Sequence, residues 1–222
     1  MHQISRKGLI AIVMVLVVSA WFPSAELVAQ QSSPRVRTLG RSFDVPIADQ
    51  LKVDDEVVVF REEINKAVLS PDPSAQEVIE DASKAAELVA VVDIRRVEPT
   101  LVLQGTWIHT RLTVTVRELI KPSTTRSLSR GSVLAMEVSG GELRIGKVLV
   151  KALPILPFKS GEQYLVFLVP NARLEALDTT HPPLLVQNGR VSSILPGGED
   201  TDKLHGMKID DIRRQISRVS KK

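Results

Sequence analysis

Few residues in this chain have the types and spacing that catalysis requires. Ser139-Gly140-Gly141 comes closest to a nucleophile elbow, but Glu137 stands where the G-x-S-x-G pattern needs its first glycine. The glycine-rich motifs that cradle phosphate groups are missing as well. We therefore predict no catalytic residue and no cofactor, and a protein that is not an enzyme. A hydrolase that uses two carboxylates in one cleft stays open as an alternative, because no sequence spacing selects such a pair.

Metal binding also lacks its usual spacing. Neither His181 nor His205 has a second histidine three or four residues away, no H-E-x-x-H motif occurs, and His109 lies on a predicted strand. The acidic stretches 54–56 and 199–202 lack the alternating oxygen ligands of a calcium loop. The chain contains no cysteine, which excludes disulfides, thiol nucleophiles and thiolate metal sites. We predict no metal site.

Residues 107–120 are the strongest candidate for a binding surface. Four apolar residues alternate with five polar ones: Ile108, Leu112, Val114 and Val116 against His109, Arg111, Thr113, Thr115 and Arg117. A period of two indicates a half-buried strand. We take Trp107, as an exposed aromatic platform, together with His109, Arg111 and Arg117 as candidate binding residues. An ordinary solvent-exposed strand face is the alternative. Loops 123–130 and 181–183 are candidates to extend this face.

Two helices flank the predicted strands. Ser74 and Glu77 form the pattern of a capping box ahead of an amphipathic stretch, which predicts a helix over residues 75–86. Near the C-terminus, Ile209, Ile212, Ile216 and Val219 form one apolar stripe. We expect this helix to pack the stripe on the sheet and to leave its arginines in solvent. Weak contact of the basic tail with an anionic surface is the alternative.

Short β-prone segments fill the region between these helices. They cover residues 88–97, 107–120, 132–138, 142–152, 163–169, 184–187 and 190–194. The apolar run 163–169 predicts the most buried strand, and Asn188-Gly189 predicts a type I′ hairpin turn. The pattern indicates a mainly β fold, a small antiparallel barrel or sandwich. We place the domain at residues 74–195, after a lead-in or linker over 30–73, in which residues 56–60 could form one short strand, and before a linker and basic helix over 196–222.

The N-terminus has the pattern of a secretory signal peptide. Arg6 and Lys7 precede an uncharged apolar run, and small residues follow up to Ala29, which predicts cleavage after residue 29. We therefore expect a secreted or periplasmic protein. Residues 8–22 are shorter than the roughly 20 apolar residues of a spanning helix, so an uncleaved inner-membrane anchor is the second interpretation.

Charge argues against a nucleic-acid partner. Residues 203–222 carry seven basic side chains against two acidic ones, while the whole chain has a net charge of +3. The domain itself therefore lacks the excess of basic over acidic residues that is typical of nucleic-acid binding. We expect the partner to be a protein or an envelope polymer.

Several segments resemble a known family. They are the strand at 87–97, the threonine-rich strand that runs into Val116-Arg117-Glu118-Leu119-Ile120-Lys121, the turn Gly131-Ser132-Val133, and residues 158–168 (FKSGEQYLVFL). Over roughly residues 85–195 the chain resembles netrin-like domains and tissue inhibitors of metalloproteinases, and exported bacterial proteins of the same plan. The resemblance implies a five-stranded OB-type barrel, and the residue pattern adds one helix before it and one after it in the chain. The inhibitors chelate the protease zinc through an N-terminal cysteine, so that activity has no counterpart in a chain without cysteine.

These observations favour an exported, non-catalytic interaction module that binds a protein or an envelope ligand. An envelope hydrolase and a membrane-surface structural protein are the alternatives. Fold alone does not decide among them.

Overall fold

Ten β-strands and four helices make up the part of the chain that the structure describes. This computed structural model describes residues 34–42, 44–61, 73–170, 176–195 and 199–219. The strands are β1 (Val36–Gly40), β2 (Val57–Arg61), β3 (Leu88–Val102), β4 (Trp107–Lys121), β5 (Val133–Ser139), β6 (Gly141–Ile145), β7 (Val148–Ala152), β8 (Gln163–Pro170), β9 (Leu177–Gln187) and β10 (Arg190–Ser193). The helices are α1 (Ile47–Gln50), α2 (Ala75–Ala85), α3 (Glu199–Leu204) and α4 (Ile209–Val219). The prediction of a mainly β fold is confirmed.

The larger sheet has six strands in the order β10-β9-β5-β4-β3-β8. Its neighbouring strands run antiparallel, as predicted, except that β5 and β9 pair in parallel through Met136 and Glu137. Strand β8 pairs with β3 on one side and with β9 on the other. Strand β8 stands last in this order, but because it also pairs with β9 it is hydrogen-bonded to a neighbouring strand on both sides.

The smaller sheet corrects the interpretation of residues 30–73 as a lead-in or linker. Its order is β1-β2-β7-β6, and β2 pairs in parallel with both β1 and β7. Val58 and Phe60 of β2 are fully buried and pack on Val150 and Ile108. Residues 34–61 thus belong to the folded unit, because burial of these apolar side chains is favourable only in contact with the later strands.

The alternation in β4 is confirmed. Leu112, Val114 and Val116 are buried in one apolar core together with residues of β3, β5, β8 and β9. Strand β8 has five consecutive buried residues, which confirms the predicted burial of its apolar run, but the first five residues of β3 are buried as well, so β8 is not the single most buried strand. The Asn188-Gly189 turn is confirmed too, since φ is 51° at Asn188 and 71° at Gly189 and the turn joins antiparallel β9 and β10.

Helix α2 begins as the capping box predicted. The hydroxyl of Ser74 accepts a hydrogen bond from the Glu77 amide, and the Glu77 carboxylate accepts one from the Ser74 amide at 2.6 Å. These bonds satisfy amides that have no partner within the helix, and they lower the pKa of Glu77. At the other end, the Lys121 ammonium donates to the carbonyl oxygen of Ser83 at 2.8 Å. Strand β4 therefore ends on the C-terminus of α2.

Helices cover part of the outward surface of the larger sheet. Ile212 and Ile216 of α4 are fully buried, and they pack with α2 against Val89, Leu165 and other outward residues of β3 and β8. The expected packing of the C-terminal stripe on the sheet is confirmed. The prediction of two flanking helices was incomplete, because the described residues also contain the short helices α1 and α3.

Several predictions fall on residues outside the described ranges. They are the signal peptide at 1–29, the possible anchor at 8–22 and the Pro196-Gly197-Gly198 linker. Among the residues that are described, no helix combines the length and the apolar composition needed to cross a bilayer.

Candidate functional site

The outward surface of the larger sheet divides into two parts. The part over β8 and the beginning of β3 lies beneath α2 and α4. The part formed by the rest of β3, by β4 and by β5 carries polar side chains, and we call it the polar face. It comprises Asp93, Arg95, Arg96, Glu98, His109, Arg111, Thr113, Thr115, Arg117 and Glu137. Three of the four predicted binding residues therefore lie on one surface.

Trp107, the fourth, corrects the prediction of an exposed aromatic platform. Its side chain is 0% exposed and packs in the core between the two sheets with Ile47 and Phe60. The Arg41 guanidinium lies 4.5 Å from the ring centroid, and the indole Nε1 donates a hydrogen bond to Ser139 Oγ at 2.9 Å. The prediction failed because the strand that covers Trp107 comes from the segment interpreted as a linker.

His109 and Glu137 form a cross-strand pair on the polar face. The distance from His109 Nδ1 to Glu137 Oε2 is 3.3 Å, and the Glu137 side chain is only 4% exposed. Because a buried carboxylate is costly without a partner, we infer that Nδ1 carries the proton and donates to Glu137. This arrangement makes His109 a fixed part of the surface.

Arg111 lies at the centre of the polar face. It is exposed, and the strand register places it opposite Glu98 of β3 and Glu137 of β5. Glu98 also pairs with Arg96, with 2.6 Å between Arg96 Nη2 and Glu98 Oε1. The face is therefore a patchwork of both charge signs with an excess of guanidinium groups.

Arg117 lines a groove at the end of the polar face. The cavity has a volume of about 380 Å³ and is lined by Asp93, Ile94, Arg95, Arg117, Ser160, Gly161 and Gln163. We call it the Arg117 groove. Arg117 Nη1 lies 3.4 Å from Asp93 Oδ2, and the Arg117 side chain remains 53% exposed. Its guanidinium is thus oriented by Asp93 while it still faces solvent.

A β-bulge in β3 builds the rest of the groove. The register of β3 with β4 shifts between Ile94 and Arg96, so that Arg95 is left between two paired residues. Arg95 Nε donates to Thr115 Oγ1 at 2.9 Å, and the Arg95 carbonyl accepts from Ser160 Oγ at 3.0 Å. These two bonds fix Arg95 and hold the loop before β8 against the bulge.

The sequence prediction missed most of this groove. Asp93, Arg95, Ser160 and Gln163 were not among the candidate residues, although Arg117 was. The available signal was the adjacent pair Arg95-Arg96, which breaks the period of two in β3 and so indicates a bulge.

The predicted loop extensions lie in different places. Ser123 and Thr125 donate hydrogen bonds to the Glu87 carboxylate, which holds that loop beside the start of β3 and lowers the pKa of Glu87. His181 was expected in a loop but lies within β9, where it is 8% exposed and contacts the Phe167 ring. Neither segment joins the Arg117 groove.

His181 instead lines a second cavity, which we call the apolar pocket. It has a volume of about 190 Å³ and is lined by Val138, Ser139, Pro154, Leu156, Thr179, Thr180, His181, Pro182 and Leu195. Ser139 connects it to Trp107 through the indole hydrogen bond.

The described residues contain no group of three or more histidine, cysteine or acidic side chains that could hold a metal ion. The Asp55 carboxylate, one of the acidic residues considered for calcium binding, pairs with Arg37 and accepts a hydrogen bond from the Lys52 amide at 2.6 Å.

No protein-family model and no curated protein matches this chain.

Proposed function

We propose that this protein is an exported, non-catalytic interaction module that binds an acidic group of its partner in the Arg117 groove. The observation that carries the proposal is the pair of guanidinium groups, Arg95 and Arg117, on the lining of one cavity with the single carboxylate of Asp93. Two positive charges against one negative charge favour an anionic group of the ligand.

The chemistry of the groove suits a carboxylate. A guanidinium presents a planar fork of donors that matches two carboxylate oxygens at once. Asp93 and Thr115 each orient one of the two arginines, so little side-chain freedom remains to be lost on binding. Gln163 adds a neutral polar side chain to the lining. The ligand that fits is an acidic peptide segment of a partner protein.

The carboxylates of the polar face support a non-catalytic function. Each of the three has a basic neighbour: Asp93 has Arg117, Glu98 has Arg96, and Glu137 has His109. General acid–base catalysis by a carboxylate pair needs two carboxyl groups that face one substrate bond. Carboxylates held in separate pairs with bases act instead to orient guanidinium and imidazole groups.

We also propose that β3, β4, β5, β9 and β8 form the OB-type barrel of a netrin-like plan. Support comes from the strand pairings, which run from β3 through β4, β5, β9 and β8 and back to β3. The core that collects inward residues from all five strands supports it as well. NMR cross-strand contacts from Leu165 to both Leu184 and Val91 test the closure.

A nucleic-acid ligand is disfavoured by the burial of Trp107. Single-stranded nucleic acids bind through aromatic platforms combined with a basic groove, and this aromatic ring is enclosed between the sheets. The basic tail is partly neutralised, since Arg213 pairs with Glu118 and Asp210, and Arg214 pairs with Asp211. We therefore assign binding to the groove and not to the tail.

Export is proposed from the sequence of residues 1–29. Mass spectrometry of the protein from its native cells tests it: a mature chain that begins near Gln30 supports cleavage. A full-length chain in the membrane fraction would support the anchored alternative.

Binding is tested with a fluorescein-labelled decaglutamate peptide and fluorescence anisotropy on the full chain. We expect saturable binding that weakens at least about tenfold in the Arg95→Ala/Arg117→Ala double variant, because both charge-assisted contacts are lost. A labelled decaglutamine peptide serves as the neutral probe and should not bind.

The matched control is Arg214→Ala/Arg218→Ala on α4, which changes the net charge equally. At the same ionic strength, the dissociation constant of this control for decaglutamate should lie within about twofold of the parent's. An equal loss in both double variants would mean that only net charge matters and would overturn the assignment to the groove. Absence of saturable decaglutamate binding would overturn the proposed ligand class.

A further inference from the structure

The apolar pocket has the size of one aromatic ring. Its volume is about 190 Å³, and a protein cavity of about 150 Å³ is large enough to bind benzene. Five of its nine lining residues are apolar: Val138, Pro154, Leu156, Pro182 and Leu195. The pocket is open to solvent on one side, so contact with these side chains would remove one face of a ring from water, which is the main source of affinity for a small apolar ligand.

The lining selects against charged ligands. Its remaining residues are Ser139, Thr179, Thr180 and His181, and no aspartate, glutamate, lysine or arginine is among the nine. An ionised ligand would lose water without gaining an opposite charge, which is unfavourable. The Arg117 groove, by contrast, is lined by two arginines and one aspartate. The two cavities share no lining residue, and they fit different chemistry.

Of the four polar lining residues we assign Ser139 to a ligand, because its bond to the buried Trp107 indole fixes the position of its hydroxyl. Thr180 Oγ1 already donates to the Phe167 carbonyl at 3.4 Å, and His181 Nδ1 donates to the Pro182 carbonyl at 2.8 Å. Ser139 Oγ accepts from Trp107 Nε1. A hydroxyl has one donor and two acceptor positions, so this bond leaves Ser139 with its donor and a further acceptor position.

We propose that the apolar pocket binds a small, uncharged aromatic molecule of the phenol class, with its ring among the apolar residues and its hydroxyl hydrogen-bonded to Ser139. This site is independent of the Arg117 groove. Trp107 reports on it directly, because the acceptor of its indole N–H is the same hydroxyl that contacts the ligand.

The test uses NMR on the full chain with the substitution Trp21→Phe, which leaves Trp107 as the only tryptophan. Phenol is titrated while the Trp107 indole N–H and the amides of Val138 and His181 are followed. We expect saturable shifts with a dissociation constant between about 0.1 and 10 mM, the range for a ligand of this size.

Toluene has the same shape without the hydroxyl and should bind with an affinity that Ser139→Ala leaves unchanged. The same substitution should weaken phenol about three- to tenfold, the effect of one neutral hydrogen bond. Two variants that fill the pocket, Thr179→Phe and Leu195→Phe, should each abolish saturable binding of both probes.

The control is Thr113→Phe on the polar face, which should leave both affinities unchanged. The assignment would be overturned if the three resonances did not shift saturably with phenol, or if folded pocket-filling variants bound as the parent does. Equal binding of phenolate at high pH and of phenol would overturn the inferred selection for uncharged ligands.

Discussion

The indole Nε1 of Trp107 donates a hydrogen bond to Ser139 Oγ, 2.9 Å away on the neighbouring strand. Trp107 is fully buried between the two sheets, whereas Ser139 lines the apolar pocket. A single bond thus connects the core beneath the smaller sheet to a cavity at the surface of the larger one. Since a buried indole N–H has to find an acceptor, the bond also fixes the orientation of the ring.

Replacement of Ser139, the acceptor of this bond, should lower the free energy of unfolding. Ser139→Ala leaves the buried indole N–H without its acceptor, and we expect a loss of about 1–3 kcal/mol in the free energy of unfolding. Urea denaturation measures the loss. The exposed Ser127→Ala, in a loop, is the control and should change the free energy by less than about 0.5 kcal/mol. In a Trp107→Phe background the Ser139→Ala cost should fall by at least half, and additive costs in this cycle would show that the bond contributes nothing.

The turn between β3 and β4 should be improved by residues that favour left-handed backbone. Leu103 and Gln104 have φ of 51° and 59°, and the amide of Gly105 donates to the Val102 carbonyl as in a type I′ turn. The turn at Asn188-Gly189 has nearly the same φ values with the residues that suit them. Leu103→Asn/Gln104→Gly should raise the free energy of unfolding by about 1–2 kcal/mol, because each strained residue costs on the order of 1 kcal/mol.

The reverse change provides the control for this prediction. Asn188→Leu should destabilise the protein by about 1 kcal/mol in the same denaturant assay. If the double substitution in the β3–β4 turn were neutral, strain at Leu103 and Gln104 would not be a feature of the folded protein.

Low pH should weaken the ion pair between Arg37 of β1 and Asp55, which lies just before β2. The Arg37 guanidinium beside Asp55, with the Lys52 amide, holds the pKa of that carboxyl below its usual value. A lowered folded pKa gives stability that is fully present above the unfolded pKa of about 3.9 and is lost as the pH falls through the folded value. We therefore expect Asp55→Asn to be less stable than the parent at pH 7, with a difference that shrinks as the pH falls below the unfolded pKa of about 3.9.

Urea unfolding of both proteins at pH 7, 5 and 3 measures this difference. Asp54→Asn is the control, because the Asp54 side chain is 71% exposed and lies 3.7 Å from Arg35. A destabilisation by Asp55→Asn that stayed constant down to pH 3 would contradict the assignment to the charged carboxylate.

The C-terminal helix should be an essential part of the fold. Ile212 is fully buried against the outward side of the larger sheet, and Ile212→Ala should cost about 2–5 kcal/mol by loss of burial and creation of a cavity. Arg218→Ala, on the exposed side of the same helix, should change stability by less than about 0.5 kcal/mol. Similar effects of the two substitutions on the urea midpoint would contradict the packing of α4.

The sequence predicted those parts of the fold that depend on local periodicity and on turn chemistry. Alternation in β4, the Ser74–Glu77 capping box and the Asn188-Gly189 turn are all determined within a few residues, and each was predicted correctly. The burial of Trp107 depends on β2, which lies far away in the chain. A short strand at residues 56–60 was predicted from its apolar run, but no local pattern shows that it packs near Trp107.

The candidate site was predicted only along one strand for the same reason. His109, Arg111 and Arg117 alternate within β4, so their shared face follows from a period of two. Asp93, Arg95 and Ser160 reach Arg117 through a bulge in β3 and a loop before β8. The Arg95-Arg96 pair indicates the bulge, but the strand register that brings this bulge beside Arg117 and Ser160 is a tertiary property that no local pattern specifies.

The parallel pairing of β2 with β7 has a consequence for a chain that is synthesised from its N-terminus. Val57 pairs with Leu149, so β2 is complete about 90 residues before the strand that it joins. Until then the edge of β2 that faces β7 is unpaired, and an open edge beside apolar side chains such as Val58 and Phe60 is prone to misassociation. The smaller sheet can therefore be completed only after β7 has been synthesised.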